Sequence, residues 1–192
     1  VRHSGHELRR SYIGLSGIGD CPALVYDRYA QGQFYTVGDH LKSRLSFELE
    51  RALIDRLQQM GLYQAAEPIS LHGGLIQGHL DGWIRDGEGI NLLEIKTVPN
   101  SGAIPKQSER LPMHVFWQAQ AYLHYSRRLK KIDVEWALVL YLARDSGLVS
   151  VRPLHYSGTT GSQIEARVEL LVEAVRRRMR PACICGKHLS GG

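Results

Sequence analysis

The stretch from Gly78 to Thr97 constrains this chain more than any other. It reads Gly78-His79-Leu80-Asp81-Gly82-Trp83, then a turn at Asp86-Gly87-Glu88-Gly89, then Asn91-Leu92-Leu93-Glu94-Ile95-Lys96-Thr97. A Gly/Asp turn between two apolar-rich runs predicts a β-hairpin. Alternate side chains of a strand share a face, so Glu94 and Lys96 point one way while Leu93 and Ile95 point into the core. Asp81, on the neighbouring strand, reaches the same face. Two carboxylates and a lysine thus converge beside the backbone carbonyl of Ile95. Such a set of hard oxygens suits Mg²⁺ or Mn²⁺, with a cationic side chain next to it.

An isolated Glu-x-Lys arises on any solvated, charged strand edge, and that is the competing reading. Here the triplet follows an apolar pair, lies beyond a hairpin turn, and comes after Gly-x-x-Asp at hairpin distance. With Asp81 as the first acid and Glu94-Ile95-Lys96 as the Glu-x-Lys, the chain resembles the PD-(D/E)XK nuclease superfamily. The proline that usually precedes the Asp is absent. Branches related to RecB and to the nuclease of CRISPR adaptation carry Gly-x-x-Asp there, as this chain does. The resemblance runs from about Cys21 to Cys185 and is strongest from Gly78 to Tyr122. It implies an α/β fold with a central mixed β-sheet flanked by helices, the restriction-endonuclease-like core.

The rest of the chain is consistent with that architecture. Its 192 residues, 43% of them hydrophobic, suffice for a single domain over 1–192, with an irregular glycine-bearing arm at 1–19. Asp20 is placed to cap a helix that begins at Cys21-Pro22, buries Ala23, Leu24, Tyr26 and Tyr29, and ends at Gln31-Gly32. A longer helix is predicted from Asp39 to Met60, stopping at Gly61, with Leu41, Leu45, Leu49, Leu53, Leu57 and Met60 as its core stripe. Alternation then predicts three strands of one sheet at Pro68–His72, Leu75–Ile84 and Ile90–Val98, followed by an aperiodic connection, Pro99–Pro112. A helix over Pro112–Arg128 comes next. Asp133–Ala143 is apolar on nearly both faces, which predicts a strand inside a layered sheet. Leu148–Tyr156 is more polar and reads as an edge strand. Residues 157–162 read as a Ser/Thr/Gly loop. The last helix is expected over Gln163–Met179, burying Ile164, Val168, Leu171, Val175 and Met179.

Further site residues follow from the resemblance. Members of the superfamily place a metal-binding residue on the helix before the sheet; Glu50 fits that position, with Glu48 and His40 as alternatives, and all three also suit a solvated helix face. Gln118 and Tyr122 are four apart on one helical face, and Gln-x-x-x-Tyr after the Glu-x-Lys strand is the accessory motif of the RecB-like branch, where it sits beside the active site and contacts the nucleic acid backbone. Gln120 is out of phase and points elsewhere. Lys106, in the connection leaving the Lys96 strand, is placed to guide a polyanion or is simply solvated. Arg176 and Arg177 form a cationic cluster that either binds phosphate or complements the helix dipole.

The implied activity is metal-dependent DNA cleavage, by an exonuclease working on duplex ends or single strands. Asp81, Glu94 and the Ile95 carbonyl would hold Mg²⁺ or Mn²⁺ with Glu50, while Lys96 acts beside them and Gln118 and Tyr122 position the strand. The formal net charge of +5 suits a polyanionic partner without demonstrating one. Two alternatives remain open: a structure-selective, junction-resolvase-like endonuclease, and a non-catalytic DNA-binding subunit that keeps the fold. No apolar run approaches membrane-spanning length, and nothing sets an oligomeric state.

The three cysteines are an odd number, which argues against a secreted disulfide framework and for a reducing, cytoplasmic setting. Some RecB-like exonucleases join their ends through a four-cysteine iron–sulfur cluster, one ligand preceding the nuclease core and three following it. Cys21 matches the first position, and Cys183-Ile184-Cys185 stands where the others begin. The spacing is tighter than the family's and a fourth cysteine is lacking. His188 would complete a Cys₃His set that suits Zn²⁺ at least as well. The remaining reading is three unligated thiols.

Overall fold

The computed structural model describes residues 6–8, 11–31, 33–35, 37–87 and 89–183. In chain order its strands and helices are β1 (His6–Leu8), β2 (Ile13–Gly14), α1 (Pro22–Gln31), β3 (Gln33–Tyr35), α2 (Val37–Gln59), β4 (Tyr63–Gln64), β5 (Ile69–Leu71), β6 (Ile76–Gly78), β7 (Gly82–Asp86), β8 (Gly89–Val98), α3 (Met113–Lys130), β9 (Trp136–Ala143), β10 (Val149–His155) and α4 (Gly158–Arg177). The main sheet has the order β10-β9-β8-β7-β4. Only its β8–β9 pair is parallel, joined through α3; the β10–β9, β8–β7 and β7–β4 pairs are antiparallel. The protein is therefore a mixed α/β fold with helices on both faces of a mixed sheet, as expected. Among the described residues no helix is long and apolar enough to cross a membrane.

β8 sits at the centre because both of its faces carry apolar residues, Ile90, Leu92 and Val98 on one and Leu93 and Ile95 on the other. Leu93 and Ile95 join Ile84 and Leu140 in a small core under α2, closed by Leu53, Ile54 and Leu57. On the opposite face Leu92, Val139 and Tyr141 enter the main core with Leu123 and Tyr122 of α3 and Ile164, Val168 and Leu171 of α4. β9 lies inside the sheet and β10 at its edge, as their patterns predict; β9 starts at Trp136 rather than Asp133.

The expected three-strand arrangement differs in one way that matters. The run Leu75–Ile84 is divided into β6 and β7, which belong to different sheets; β6 lies between β2 and β5. The break falls at Leu80-Asp81, next to Gly82, whose φ of +152° turns the backbone as a residue with a side chain rarely can. Alternation alone does not register such a turn. Asp81 consequently stands just outside β7, at the junction of the two sheets.

Helix ends and the burial of the helices differ as well. The Cys21 carbonyl takes the first α1 hydrogen bond, from Val25 N–H at 3.0 Å, while the Asp20 carboxylate pairs with Arg28 at 2.6 Å instead of capping. Val25 is buried in α1 with Ala23, whereas Leu24, Tyr26 and Tyr29 are half-buried. α2 meets the sheet from Ser46 to Leu57; Leu41 is 65% exposed, and Leu45 and, just past the helix, Met60 are exposed too. Periodicity marks an apolar stripe but not how much of it the rest of the chain covers. α3 continues to Lys130, two residues past the expected end. α4 begins at Gly158, not Gln163, because Ser157 is its N-cap and accepts from Thr160 N–H at 3.3 Å. It ends at Arg177, which leaves Met179 outside the helix and exposed.

Candidate active site

Asp81 occupies the place where the β7–β8 ladder opens. The last pair of that ladder is Gly82 opposite Leu93, yet β8 runs on to Val98. The Ile95 N–H therefore lacks a backbone partner on that side, and Asp81 Oδ2 accepts from it at 2.6 Å. In an antiparallel strand the N–H and C=O of one residue point to the same side, so the Ile95 carbonyl faces the Asp81 side as well. Tyr63 of β4 fixes the backbone there, its hydroxyl donating to the Asp81 carbonyl at 2.9 Å.

Glu94 and Lys96 project from β8 toward α3. Glu94 is 1% exposed, and its Oε1 lies 2.6 Å from Lys96 Nζ. Burial nonetheless raises the Glu94 carboxyl to about 8, against the opposing pull of Lys96; the charges of Asp81 and Glu50 push the same way as burial. Lys96 Nζ also donates to Gln118 Oε1 at 2.9 Å, and Gln118 Nε2 donates to the Tyr122 hydroxyl at 3.4 Å. Tyr122 is itself buried, its ionisation held far above the ordinary phenol range first by burial and then by the Glu94 charge. The Gln-x-x-x-Tyr pair thus lies inside the protein, behind Lys96. Gly78 completes this packing: a Cβ there would stand 2.8 Å from Tyr122 Cε1. The glycine of Gly-x-x-Asp and the tyrosine of Gln-x-x-x-Tyr therefore fit each other.

Glu50 enters from α2. It sits one turn before Leu53 and Ile54, which pack on the sheet, and Ser46 on the same helix meets Thr97 of β8 at 2.8 Å. Its carboxyl is raised to about 7, by burial first and by Asp81 second, with Lys96 opposing. Asp81 is likewise raised by burial, against the Ile95 N–H and Lys96. Glu50, Asp81, Glu94 and Lys96 thus feel one another's charge. Fully ionised, three carboxylates and one ammonium leave two excess negative charges in a half-dry pocket, and it is a cation that relieves them.

Among the described residues Glu94 Oε2 is buried without a hydrogen-bond partner, which ordinarily costs more than the ~1–3 kcal/mol of a neutral orphan. A free lone pair on a hard oxygen, beside Asp81 and the Ile95 carbonyl, fits Mg²⁺ or Mn²⁺. Among the described residues no three His, Cys, Asp or Glu side chains are gathered closely enough to cage an ion by themselves. Mg²⁺ does not need a cage, since it keeps several of its waters.

The remaining predicted residues lie elsewhere. Glu48 is on the exposed side of α2, and the side chain of His40 lies outside the described residues. Gln120 points away, as expected, donating to the His155 carbonyl at 2.7 Å and accepting from Ser157 N–H at 2.8 Å. Lys106 is exposed on the connection after β8. Arg152, which the sequence reading missed, holds that connection: its guanidinium donates to the carbonyls of Pro105, Lys106 and Glu109 at 3.2, 2.7 and 2.5 Å. An arginine in an alternating strand reads as outward-facing, so the sequence carried no signal for this. Arg176 and Arg177 are exposed at the end of α4, and Arg177 pairs with Glu173. Cys21 Sγ and Cys183 Sγ stand 3.7 Å apart across 162 residues of sequence; Cys185 and His188 lie outside the described residues. Arg180 and Asp27 form a bidentate pair close by, both bonds at 2.8 Å.

No protein-family model matches the chain, and no curated protein matches it. Solved structures do. An alkaline exonuclease from Laribacter hongkongensis, LHK-Exo, aligns with a TM-score of 0.59 at 15% identity, covering 88% of this chain and 90% of that one. The same exonuclease in complex with dAMP gives 0.58 at 14% identity, covering 88% and 89%. The crystal structure of SSO0001 gives 0.55 at 18% identity, covering 88% and 78%. At these identities the likeness is one of fold.

Proposed function

We propose that this protein is a metal-dependent DNA nuclease that degrades DNA from ends or along single strands. The observation that carries the reading is the convergence of Asp81, Glu94 and Lys96, with one buried Glu94 oxygen left unpaired. The shared fold with an alkaline exonuclease, one of whose structures holds dAMP, supports the same reading.

Asp81, Glu94 and the Ile95 carbonyl would hold Mg²⁺ or Mn²⁺, with Glu50 from α2 as a further acid. Bound there, the ion supplies Lewis acidity to a phosphodiester oxygen and lowers the pKa of a coordinated water. Lys96 has three N–H donors; one faces Glu94 and one Gln118, so the third is directed at the incoming phosphate or nucleophile. Its charge stabilises the negative charge that builds on the phosphorus oxygens in the transition state. Gln118, held by Tyr122, fixes where that ammonium stands. Lys106, Arg176 and Arg177 add sequence-independent attraction for a polyanion.

A metal ion held by Cys21, Cys183, Cys185 and His188 belongs to the same proposal. Two thiolates on one tetrahedral ion, with metal–sulfur bonds of ~2.3 Å, stand ~3.8 Å apart, and Cys21 and Cys183 stand at 3.7 Å. Zn²⁺ and an iron–sulfur cluster both suit these donors.

The deciding experiment incubates the protein with end-labelled single- and double-stranded DNA in Mg²⁺, in Mn²⁺ and in chelator. Short products that appear only with metal, and vanish in Glu94→Gln, are expected. Equal digestion by wild type and Glu94→Gln sinks the assignment. Efficient linearisation of a closed circle would move the protein to the endonuclease reading.

A further inference from the structure

Among the described residues, two buried oxygens on one face of the main sheet lack a hydrogen-bond partner: Glu94 Oε2 and the Tyr141 hydroxyl. They belong together by register. β8 and β9 run parallel, with Glu94 opposite Val139 and Lys96 opposite Tyr141. Residues opposite one another, or two apart, in paired strands share a face. Tyr141 is buried in the main core on that face.

The groups able to serve its hydroxyl can be taken in turn. The two charges that act on it are those of Arg152 and Glu94. Arg152 directs NH1 and NH2 to the carbonyls of Pro105, Lys106 and Glu109. Lys96 serves Glu94 and Gln118. Glu94 is the one of these three with an oxygen that is dry and, among the described residues, unpaired. A carboxylate oxygen only accepts, whereas a tyrosine hydroxyl both donates and accepts. Pairs of buried polar atoms without protein partners are where ordered waters sit.

We infer that Tyr141 is a positioning residue for the Glu94 carboxylate, acting through one buried water that accepts from the Tyr141 hydroxyl and donates to Glu94 Oε2. The water holds the second carboxylate oxygen turned toward Asp81 and the Ile95 carbonyl. The inference rests on the reading of Glu94 as a metal ligand. Outer partners of a ligand typically contribute ~10–100-fold to metal affinity.

The test is Mn²⁺ calorimetry on wild type and Tyr141→Phe, without DNA. Tyr141→Phe should bind Mn²⁺ about 10-fold more weakly, and its kcat on end-labelled DNA should fall with KM little changed. A hydroxyl that served nothing would give the opposite pattern, with wild-type Mn²⁺ affinity, wild-type kcat and a higher Tm, because an unpaired buried group has been removed. That pattern overturns the inference. A crystal structure of the wild type gives a second reading, one that needs no folded variant. A water within hydrogen-bond distance of both oxygens is expected, and a hydroxyl bonded elsewhere overturns it. A wild type that binds Mn²⁺ but leaves DNA uncut defeats the nuclease reading alone. If no Mn²⁺ binds, the water decides whether Tyr141 positions Glu94.

Discussion

Gln118 accepts a hydrogen bond from Lys96 at 2.9 Å, across 22 residues of sequence. The glutamine therefore fixes the lysine of the cluster, and the tyrosine one turn later fixes the glutamine. Gln118→Ala should leave Lys96 held by Glu94 alone and free to swing about that contact. An ammonium displaced by ~1 Å lowers turnover by about 10²-fold, while the two lost hydrogen bonds cost about 1–2 kcal/mol of stability. Steady-state cleavage kinetics and urea unfolding measure both. Unchanged kcat with the full stability loss would make the glutamine purely structural.

The metal-free site should make the protein less stable as pH rises. Glu94 and Glu50 ionise near 8 and 7 in the folded protein, against 4.5 for an ordinary glutamate. The folded state thus keeps protons that the unfolded chain has released. The stability this contributes is whole below pH 4.5 and is lost as pH climbs through 7 and 8. In chelator, Tm should fall by at least ~3 °C between about pH 6 and 8.5. Glu94→Gln should flatten the slope, and Mn²⁺ should restore Tm at the alkaline end. A flat profile in the wild type contradicts the buried, repelling carboxylates.

Gly78→Ala should damage both fold and turnover. The new Cβ would stand 2.8 Å from Tyr122 Cε1 and 3.1 Å from Leu15 Cβ. Overpacking of this kind costs about 1–3 kcal/mol. Because Tyr122 carries Gln118, kcat should fall as well. Gly87→Ala meets nothing within 4 Å and is the control, with stability and cleavage near wild type. Thermal melts and cleavage assays on the two variants make the comparison.

Arg152→Met should release the connection between β8 and α3. The buried guanidinium donates to three carbonyls of that segment, and the loss should be about 3 kcal/mol in urea titration. Limited proteolysis should find new cleavage near residues 105–109. Wild-type resistance there would mean that something other than Arg152 holds the segment.

The thiol pair should carry metal. Protein purified without oxygen should contain about one zinc per chain, or iron with visible absorption, by elemental analysis and spectroscopy. Cys21→Ser should lose that metal and lower Tm. Wild-type protein without zinc or iron sends the cysteines back to unligated thiols.

The sequence made the centre of this molecule legible and its periphery less so. Asp81, Glu94 and Lys96 could be read because strand alternation and hairpin spacing are local rules, and Gln118 and Tyr122 because four residues make one helical turn. Glu50 needed the resemblance, since one acid on a charged helix has no local mark. Tyr141 and Arg152 were invisible for the opposite reason. Each sits at an ordinary strand position, and what sets it apart, an unpaired hydroxyl or three carbonyls under a guanidinium, is made by segments distant in sequence. The division of Leu75–Ile84 escaped because one glycine with an unusual φ does not disturb alternation. The start of α4 escaped because Ser/Thr/Gly residues favour loops on their own, yet here a cap and the core hold them in a helix.

The contacts between α1 and the last quarter of the chain also order events in time. Arg167 donates to the carbonyls of Ile18 and Asp20, at sequence separations of 149 and 147, and Arg180 grips Asp27 across 153. At ribosomal speeds of ~5–20 residues per second, α1 therefore waits on the order of ten seconds for its partner to be synthesised. Until then the buried side of α1, with Ala23 and Val25, lacks its α4 neighbour. Folding dominated by such distant closures is slow, and the N-terminal helix is among the last elements to reach its native contacts.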